Sequence, residues 1–315
     1  MVLEVDTQRR DPGMFGPDSE AWRFDREAML LLGAGPRALL LQLAHPSVAA
    51  GVDEHSDFRA DPWRRLDGTL RSYLRIIYGS TAAARAEIRR LNALHRGITG
   101  AGYSARDPAL SMWVHATLVD STIVANDAWA GPVTRDQAAR FYDETKPIAR
   151  AFGVTDRDLP ADLAAFETYL ADQMGPDGPV RVGDTARDLA EAILHPPLPG
   201  VLGGVGVPSH LYDWTLWPSL GLLPTPVREA YGLRWGPVER AVSAWLVTAW
   251  RAWNPILPAS FRQMPQALAA ERRIAAVLAT APGARPTRRR SLSRTTGSAV
   301  GRQQRDRPAS RRRGR

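Results

Sequence analysis

From Arg26 to Thr280 apolar side chains recur three or four positions apart, and sustained strict alternation is nearly missing. That spacing predicts an all-α body, with helices over 27–33, 36–44, 46–54, 62–78, 81–99, 108–127, 134–151, 161–173, 184–194, 209–219, 225–231, 236–253 and 264–279. Several starts are marked chemically. Asp61-Pro62 and Asp107-Pro108 place an acidic cap before a proline whose missing N–H costs nothing in the first turn, and Thr134 with Gln137 fits a capping box. Between Pro196 and Pro208 prolines and glycines crowd the chain, which predicts a long ordered loop between two helical parts. Residues 282–315 have no apolar period and are rich in Arg, Ser, Thr and Gly, a composition expected to stay disordered. The organisation predicted is an N-terminal extension over 1–21, one large helical domain over 22–281 and a basic tail over 282–315.

Composition changes this picture at a few points. The chain has 315 residues, 44% of them apolar, enough for a substantial core. Its formal charge of +8 misleads, because residues 285–315 hold twelve arginines against Asp306, while residues 1–284 hold 29 basic against 32 acidic side chains. The pI near 10.4 therefore describes the tail and gives no reason to read the body as a nucleic-acid-binding domain. Only the tail offers a surface for nucleic acid or an anionic membrane, and a solvated tail without a specific partner is the simpler expectation. Cysteine is absent, which excludes thiolate nucleophiles, zinc-thiolate and iron–sulfur sites, and covalent or cysteine-ligated haem. No export signal is legible near the start, and the apolar windows Met29–Val52 and Ala241–Leu257 are interrupted by Pro36, Arg37, Arg251 and Pro255. A cytoplasmic protein is expected, with attachment to a membrane surface left open.

Gly33-Ala34-Gly35-Pro36-Arg37-Ala38, with Asp53 twenty residues on, fits the glycine fingerprint of dinucleotide sites. No alternating strands and helices follow, so it reads as a helix break, with glycines ending one helix and Pro36 starting the next. The six histidines lack zinc-protease spacing. His95 shares a helical stripe with Ile88, Leu91, Leu94 and Ile98 and is expected to face inward, either as a satisfied core residue or as a neutral imidazole able to ligate haem iron. His115 lies in the nearly all-apolar Ser111–Val124 and is expected buried within a polar network with Asp120, Ser121 and Thr122. His45, before Pro46, suits a cap, and His55 a loop. Arg65 and Thr69 are four apart on one helical face, either holding an anionic or oxygen species or forming an ordinary surface pair near Asp61 or Asp67.

Taken in order, these segments resemble the oxygenase family of the bacterial latex-clearing rubber oxygenases and the fungal MpaB oxygenase. The carrying stretches run from Leu32 to Pro46, Val48 to Val52 with His55-Ser56, Asp61-Pro62, Arg65 to Thr69, Leu94 to Gly100, Tyr103 to Ala105 and Trp113 to Ser121; Leu222-Leu223-Pro224, Arg228-Glu229 and Leu257 to Ala259 complete the series. The resemblance implies one all-α domain enclosing a pocket for non-covalent haem b, O2 as co-substrate, a reductant of unknown kind, and a lipophilic alkene such as an isoprenoid as substrate. By position it implies that Arg65 and Thr69 flank the open face of the haem and that His95 is the axial ligand, with His115 and His45 as alternatives. Rubber-cleaving members carry a lysine just before the threonine; this chain has Gly68, so no distal amine is available there. A catalytically silent haem or lipid carrier on the same scaffold is the competing reading, and a binder acting through its tail the third.

Overall fold

Caps and prolines open most of the helices. In the computed structural model, which describes residues 11–58, 60–195 and 216–280, Asp61 accepts from the Arg64 N–H at 3.0 Å and Asp107 from the Ala109 N–H at 2.9 Å. The capping box of Thr134 and Gln137 is closed by both of its bonds. The helices are α1 (Glu20–Phe24), α2 (Ala28–Leu43), α3 (Pro46–His55), α4 (Pro62–Tyr78), α5 (Thr81–His95), α6 (Pro108–Trp129) and α7 (Arg135–Ala151). They continue with α8 (Leu163–Met174), α9 (Asp184–Leu194), α10 (Thr225–Ala230), α11 (Pro237–Trp253), α12 (Ala259–Arg262) and α13 (Pro265–Thr280). The body is all-α, as its periodicity predicts; a two-residue pair, β1 (Thr99–Gly100) with β2 (Tyr103–Ser104), interrupts it. The predicted helix at 209–219 lies mostly outside the described residues, as do the tail after 280 and the Pro196–Pro208 loop.

Two boundaries differ from the sequence reading. The Gly-Ala-Gly-Pro segment does not break a helix: α2 runs unbroken from Ala28 to Leu43 with Pro36 inside it. Proline there deletes one backbone hydrogen bond, but α2 packs lengthwise on α6 and tertiary burial outweighs the local defect. Gly33 is part of the reason, since a Cβ there would stand 3.3 Å from the indole nitrogen of Trp129. The helix expected over 81–99 ends at His95, and the chain turns at Arg96-Gly97 into the β pair.

The core centres on α6. Met112, Trp113, Ala116, Val119, Ala125 and Trp129 are all buried, so this helix is apolar nearly all round and packs α2 on one side and α7 on another. Trp113 donates its indole N–H to the Leu41 carbonyl at 3.2 Å, and Asn126 donates to the Phe24 carbonyl at 3.1 Å. Among the described residues no single helix is long and apolar enough to cross a membrane; α2 with α3 reaches that length only as a pair bent by 102°, and its Leu40, Leu41, Leu43 and Ala44 are core residues.

Arg37 crosses this core. Its guanidinium pairs with Asp120 at 2.7 Å, donates to Ser121 Oγ at 2.7 Å and to the Leu222 carbonyl at 2.8 Å, with only 3% of the residue exposed. Removing one partner of such a pair strands a buried charge. Asp120→Ala should therefore cost about 3 kcal/mol in urea unfolding, whereas Arg37→Met combined with Asp120→Leu should recover most of that loss.

Candidate functional site

Helices α4 and α5 form an antiparallel hairpin closed at Gly79-Ser80. Ser80 caps α5 by accepting from the Ala83 N–H at 3.2 Å, and Gly79 is required because a Cβ would collide with the Arg75 carbonyl. Two contacts set the hairpin's register: Arg75 faces Glu87 at 3.9 Å, and Arg90 donates to Ser72 Oγ at 3.0 Å. Continuing outward at equal rise per residue, the same register sets Arg65 and Thr69 opposite the end of α5, where His95 stands. Glu87, only 5% exposed, sits at the centre of this seam, its carboxyl held below the ordinary range chiefly by its hydrogen bond from Arg90.

The hairpin sets Arg65 close enough to His95 for its charge to act on the imidazole, with Thr69 one turn further along α4. Arg65 is exposed and donates from Nε to Ser56 Oγ at 3.1 Å; Thr69 is exposed and donates to the Arg65 carbonyl at 2.9 Å. Neither Asp61 nor Asp67 holds Arg65, since Arg64 takes Asp61 and Arg71 takes Asp67. Crowding around the guanidinium, then the neighbouring charge of Arg64, lowers the pKa of Arg65. His95 is half-buried, its ring 6.0 Å from that of Phe152 at the end of α7. Loss of solvent, then the positive charge of Arg65, lowers its pKa and favours the neutral imidazole. The sequence stripe puts Leu94 inward with His95, but Leu94 is 49% exposed. Ending the helix at His95 removes Ile98 from that stripe and opens this end of the hairpin to solvent.

The other histidines separate by environment. His45 is the cap of α3, its Nδ1 accepting from the Ser47 N–H at 3.2 Å. His55 ends α3 with Nε2 3.0 Å from the Thr99 carbonyl, and His195 faces Glu191 at 3.0 Å; His210 lies outside the described residues. His115 is buried, but the expected polar network does not form around it: its Nε2 has no hydrogen-bond partner. Asp120 and Ser121 turn instead to Arg37, which the sequence reading had given no role.

Two tests bear on a cofactor. Among the described residues no three His, Asp or Glu side chains converge, so an iron held by His95 would need its other ligands from a cofactor. The residues fit that: the His95 ring makes no hydrogen bond among the described residues, and nothing lies within 4 Å of the position a Cβ would take at Gly68. A neutral, unengaged imidazole beside open space, an arginine and a hydroxyl can ligate and orient a planar anionic group.

A second polar region escaped the sequence reading. Asp25 is fully buried, receives the Tyr73 hydroxyl at 2.8 Å, and burial pushes its carboxyl up to about 7 against the lowering effect of that bond. Nearby, Arg26, Glu27, Trp129, Arg251, Arg262 and Gln263 help line a cleft of about 390 Å³. A carboxylate in the run Trp22-Arg23-Phe24-Asp25 carries no periodic signal that would mark it as buried.

Comparison with known proteins defines the class. Residues 22–254 match the family described as ER-bound oxygenase mpaB/B'/rubber oxygenase, catalytic domain. The chain belongs to this oxygenase family, and at that level it is an oxidoreductase. It is 27% identical over 233 residues to two uncharacterised proteins, Mb2261 of Mycobacterium bovis and Rv2237 of Mycobacterium tuberculosis, which the alignment covers to 87% and this chain to 70%. No solved structure matches.

The two buried titrating groups act on stability in opposite senses. Burial lowers His115 to about 4, so below pH ~6.5 the unfolded chain takes up the proton first and stability falls as pH falls towards 4, by about 2 kcal/mol at pH 5. Asp25 holds its proton up to about 7 while the unfolded carboxyl has lost it by about pH 4, so this group costs stability as pH rises through that window. His115→Leu should leave urea midpoints that fall from pH 4.5 to 7, and Asp25→Asn midpoints that rise over the same range.

Proposed function

We propose that the protein is a haem b-dependent oxygenase acting on a hydrophobic, alkene-bearing small molecule, with His95 as the axial ligand and Arg65 and Thr69 at the open face. The observation that supports this reading is the action of the Arg65 charge on the His95 imidazole at the open end of the α4–α5 hairpin, with the Thr69 hydroxyl one turn along α4. When bound, the haem supplies the iron and the electron transfer that oxygen chemistry requires. His95 holds the group through its unprotonated nitrogen, kept free by dehydration and by Arg65. Arg65, anchored on Ser56, offers its remaining N–H groups to negative charge, and Thr69 is placed to orient a polar atom once its hydroxyl turns from the Arg65 carbonyl. Phe152 and the exposed Leu94 provide apolar surface beside the imidazole for a lipophilic substrate.

His115 is the alternative ligand, since its Nε2 is also unpaired; it is buried within α6, and reaching it would require opening the core. His45 spends its Nδ1 on its own cap. Gly68 favours the second reading, a catalytically silent haem or lipid carrier, because the open space there holds no amine. Oxygen uptake with a lipophilic alkene and a reductant separates the two.

Pyridine haemochrome analysis should find roughly one haem b per chain, as a single axial histidine implies. His95→Ala should lose it, while His115→Ala, His55→Ala and His210→Ala keep it; the reverse result for His95 and His115 would move the ligand to α6. Arg65→Ala and Thr69→Ala should retain haem and far-ultraviolet helix signal yet lose at least tenfold in oxygen-dependent turnover, in line with groups that act on the reacting species. Full turnover in both would make them structural.

A further inference from the structure

Among the described residues one side of α11 is apolar and uncovered, flanked by the exposed Arg240 and Arg251. Val238, Ala241, Trp245 and Ala252 share one side of the helix at helical spacing and are all exposed, Trp245 by 67%. The opposite side is already used: Val247 and Trp250 pack against Leu30, Ala34, Ala125 and Trp129. A helix apolar on two faces calls for two partners. At the end of α11 and just beyond it, Trp253, Ile256 and Phe261 are exposed as well, by 62%, 68% and 80%. Monomeric soluble proteins scatter exposed apolar residues singly, and this many large ones within one short stretch of chain mark an interaction surface.

Charge identifies the occupant. Residues 234–315 hold 18 arginines against Glu239, Glu271 and Asp306, whereas residues 1–233 hold 23 basic against 30 acidic side chains. The uncovered face and the positive charge therefore belong to the same stretch of chain. Arg251 and Arg262, which bracket Trp253 to Phe261 in sequence, also line the polar cleft. A second copy meeting this face with its own across a two-fold axis would set this charge against its own kind. An anionic bilayer answers both features, because tryptophan settles at the level of lipid headgroups and arginine is drawn to anionic lipid.

We propose that the outer face of α11, with the turn and α12 that follow it, docks on an anionic lipid surface, the arginines of the C-terminal stretch supplying the long-range attraction. The inference does not depend on the haem assignment. Charge alone would put all membrane affinity in residues 285–315; the exposed face predicts affinity that survives their removal.

The test is sedimentation of the full-length protein with phosphatidylcholine vesicles, with and without phosphatidylglycerol, read together with tryptophan emission. The full chain should bind the anionic vesicles, shift its emission to the blue, be quenched by lipids spin-labelled just below the headgroup, and release as salt rises. Trp245→Ser with Trp253→Ser and Phe261→Ser should weaken binding at least tenfold with helix content unchanged. A chain ending at residue 284 should bind more weakly but keep the blue shift and the quenching at low salt. Quenching is read on the unsubstituted protein, so it tests the proposal even if the triple variant fails to fold. Absence of quenching, equal binding by the triple variant, or loss of all binding on truncation would overturn the proposal. So would a dimer by light scattering that the triple substitution dissolves, which would make a second copy the occupant.

Discussion

The fold depends on one buried guanidinium. Arg37 meets Asp120 and Ser121 of α6 and the Leu222 carbonyl, so three segments widely separated in sequence share a single cation. Its planar fork of donors suits this better than a lysine's point charge could. The neighbouring residue, Pro36, is the weakest point of α2, and the anchor holds the helix against α6 where its own backbone ladder is incomplete. Tyr231 donating to the Leu40 carbonyl at 2.7 Å and Arg228 donating to the Leu223 carbonyl at 3.0 Å fasten the same corner from the side of α10.

From that centre the candidate site is reached through α1. Trp22 donates to the Ile77 carbonyl at 3.1 Å, and Tyr78 donates back to the Trp22 carbonyl at 2.8 Å. These bonds hold the closed end of the α4–α5 hairpin on the body, while at its open end Leu66 packs against the core and Asn92 donates to the Ala151 carbonyl, leaving Arg65 and Thr69 exposed. The division is physically sensible: rigid pairing sets the register, and the chemistry sits where access does not require opening packed helices.

Helix positions were legible because most expose one face and bury another, and because an acidic residue before proline marks the starts of α4 and α6. The α2 junction was misread because Gly33 and Pro36 are local signals, whereas the packing of Trp129 against Gly33 is a contact between residues nearly a hundred positions apart. Arg65, Thr69 and His95 could be nominated from helical spacing and from the ordered series of family stretches. Their juxtaposition could not, since it follows from the Arg75–Glu87 and Arg90–Ser72 contacts across the hairpin. The role of Arg37 was hidden for the same reason, and so was the solitude of His115: proximity in sequence to Asp120 and Ser121 suggested partners that α6 instead turns towards Arg37.

The seam between the first and last described helices is built differently from the rest. Among the described residues nine buried side chains leave a polar atom unpaired; apart from His115 they are Asp25, Arg26, Glu27, Trp129, Asn254, Arg262, Gln263 and Gln266. The segments that meet there are joined by the Glu27–Gln263 bridge and by ion pairs of Arg26 with Glu271 and Arg262 with Glu27. Unpaired polar atoms this concentrated are satisfied in solution by bound water or by a polar ligand, because leaving them bare would cost more than their ion pairs return. The body therefore has a dry, closely packed side around α6 and a polar seam, beside which α11 and α13 are fixed by apolar contacts of their own, Val247 and Trp250 against Leu30 and Trp129, and Ala267 and Ala270 with Trp22 and Ile77. Close apolar packing fixes α11 on its inner side, and among the described residues nothing covers the apolar side that it turns outward.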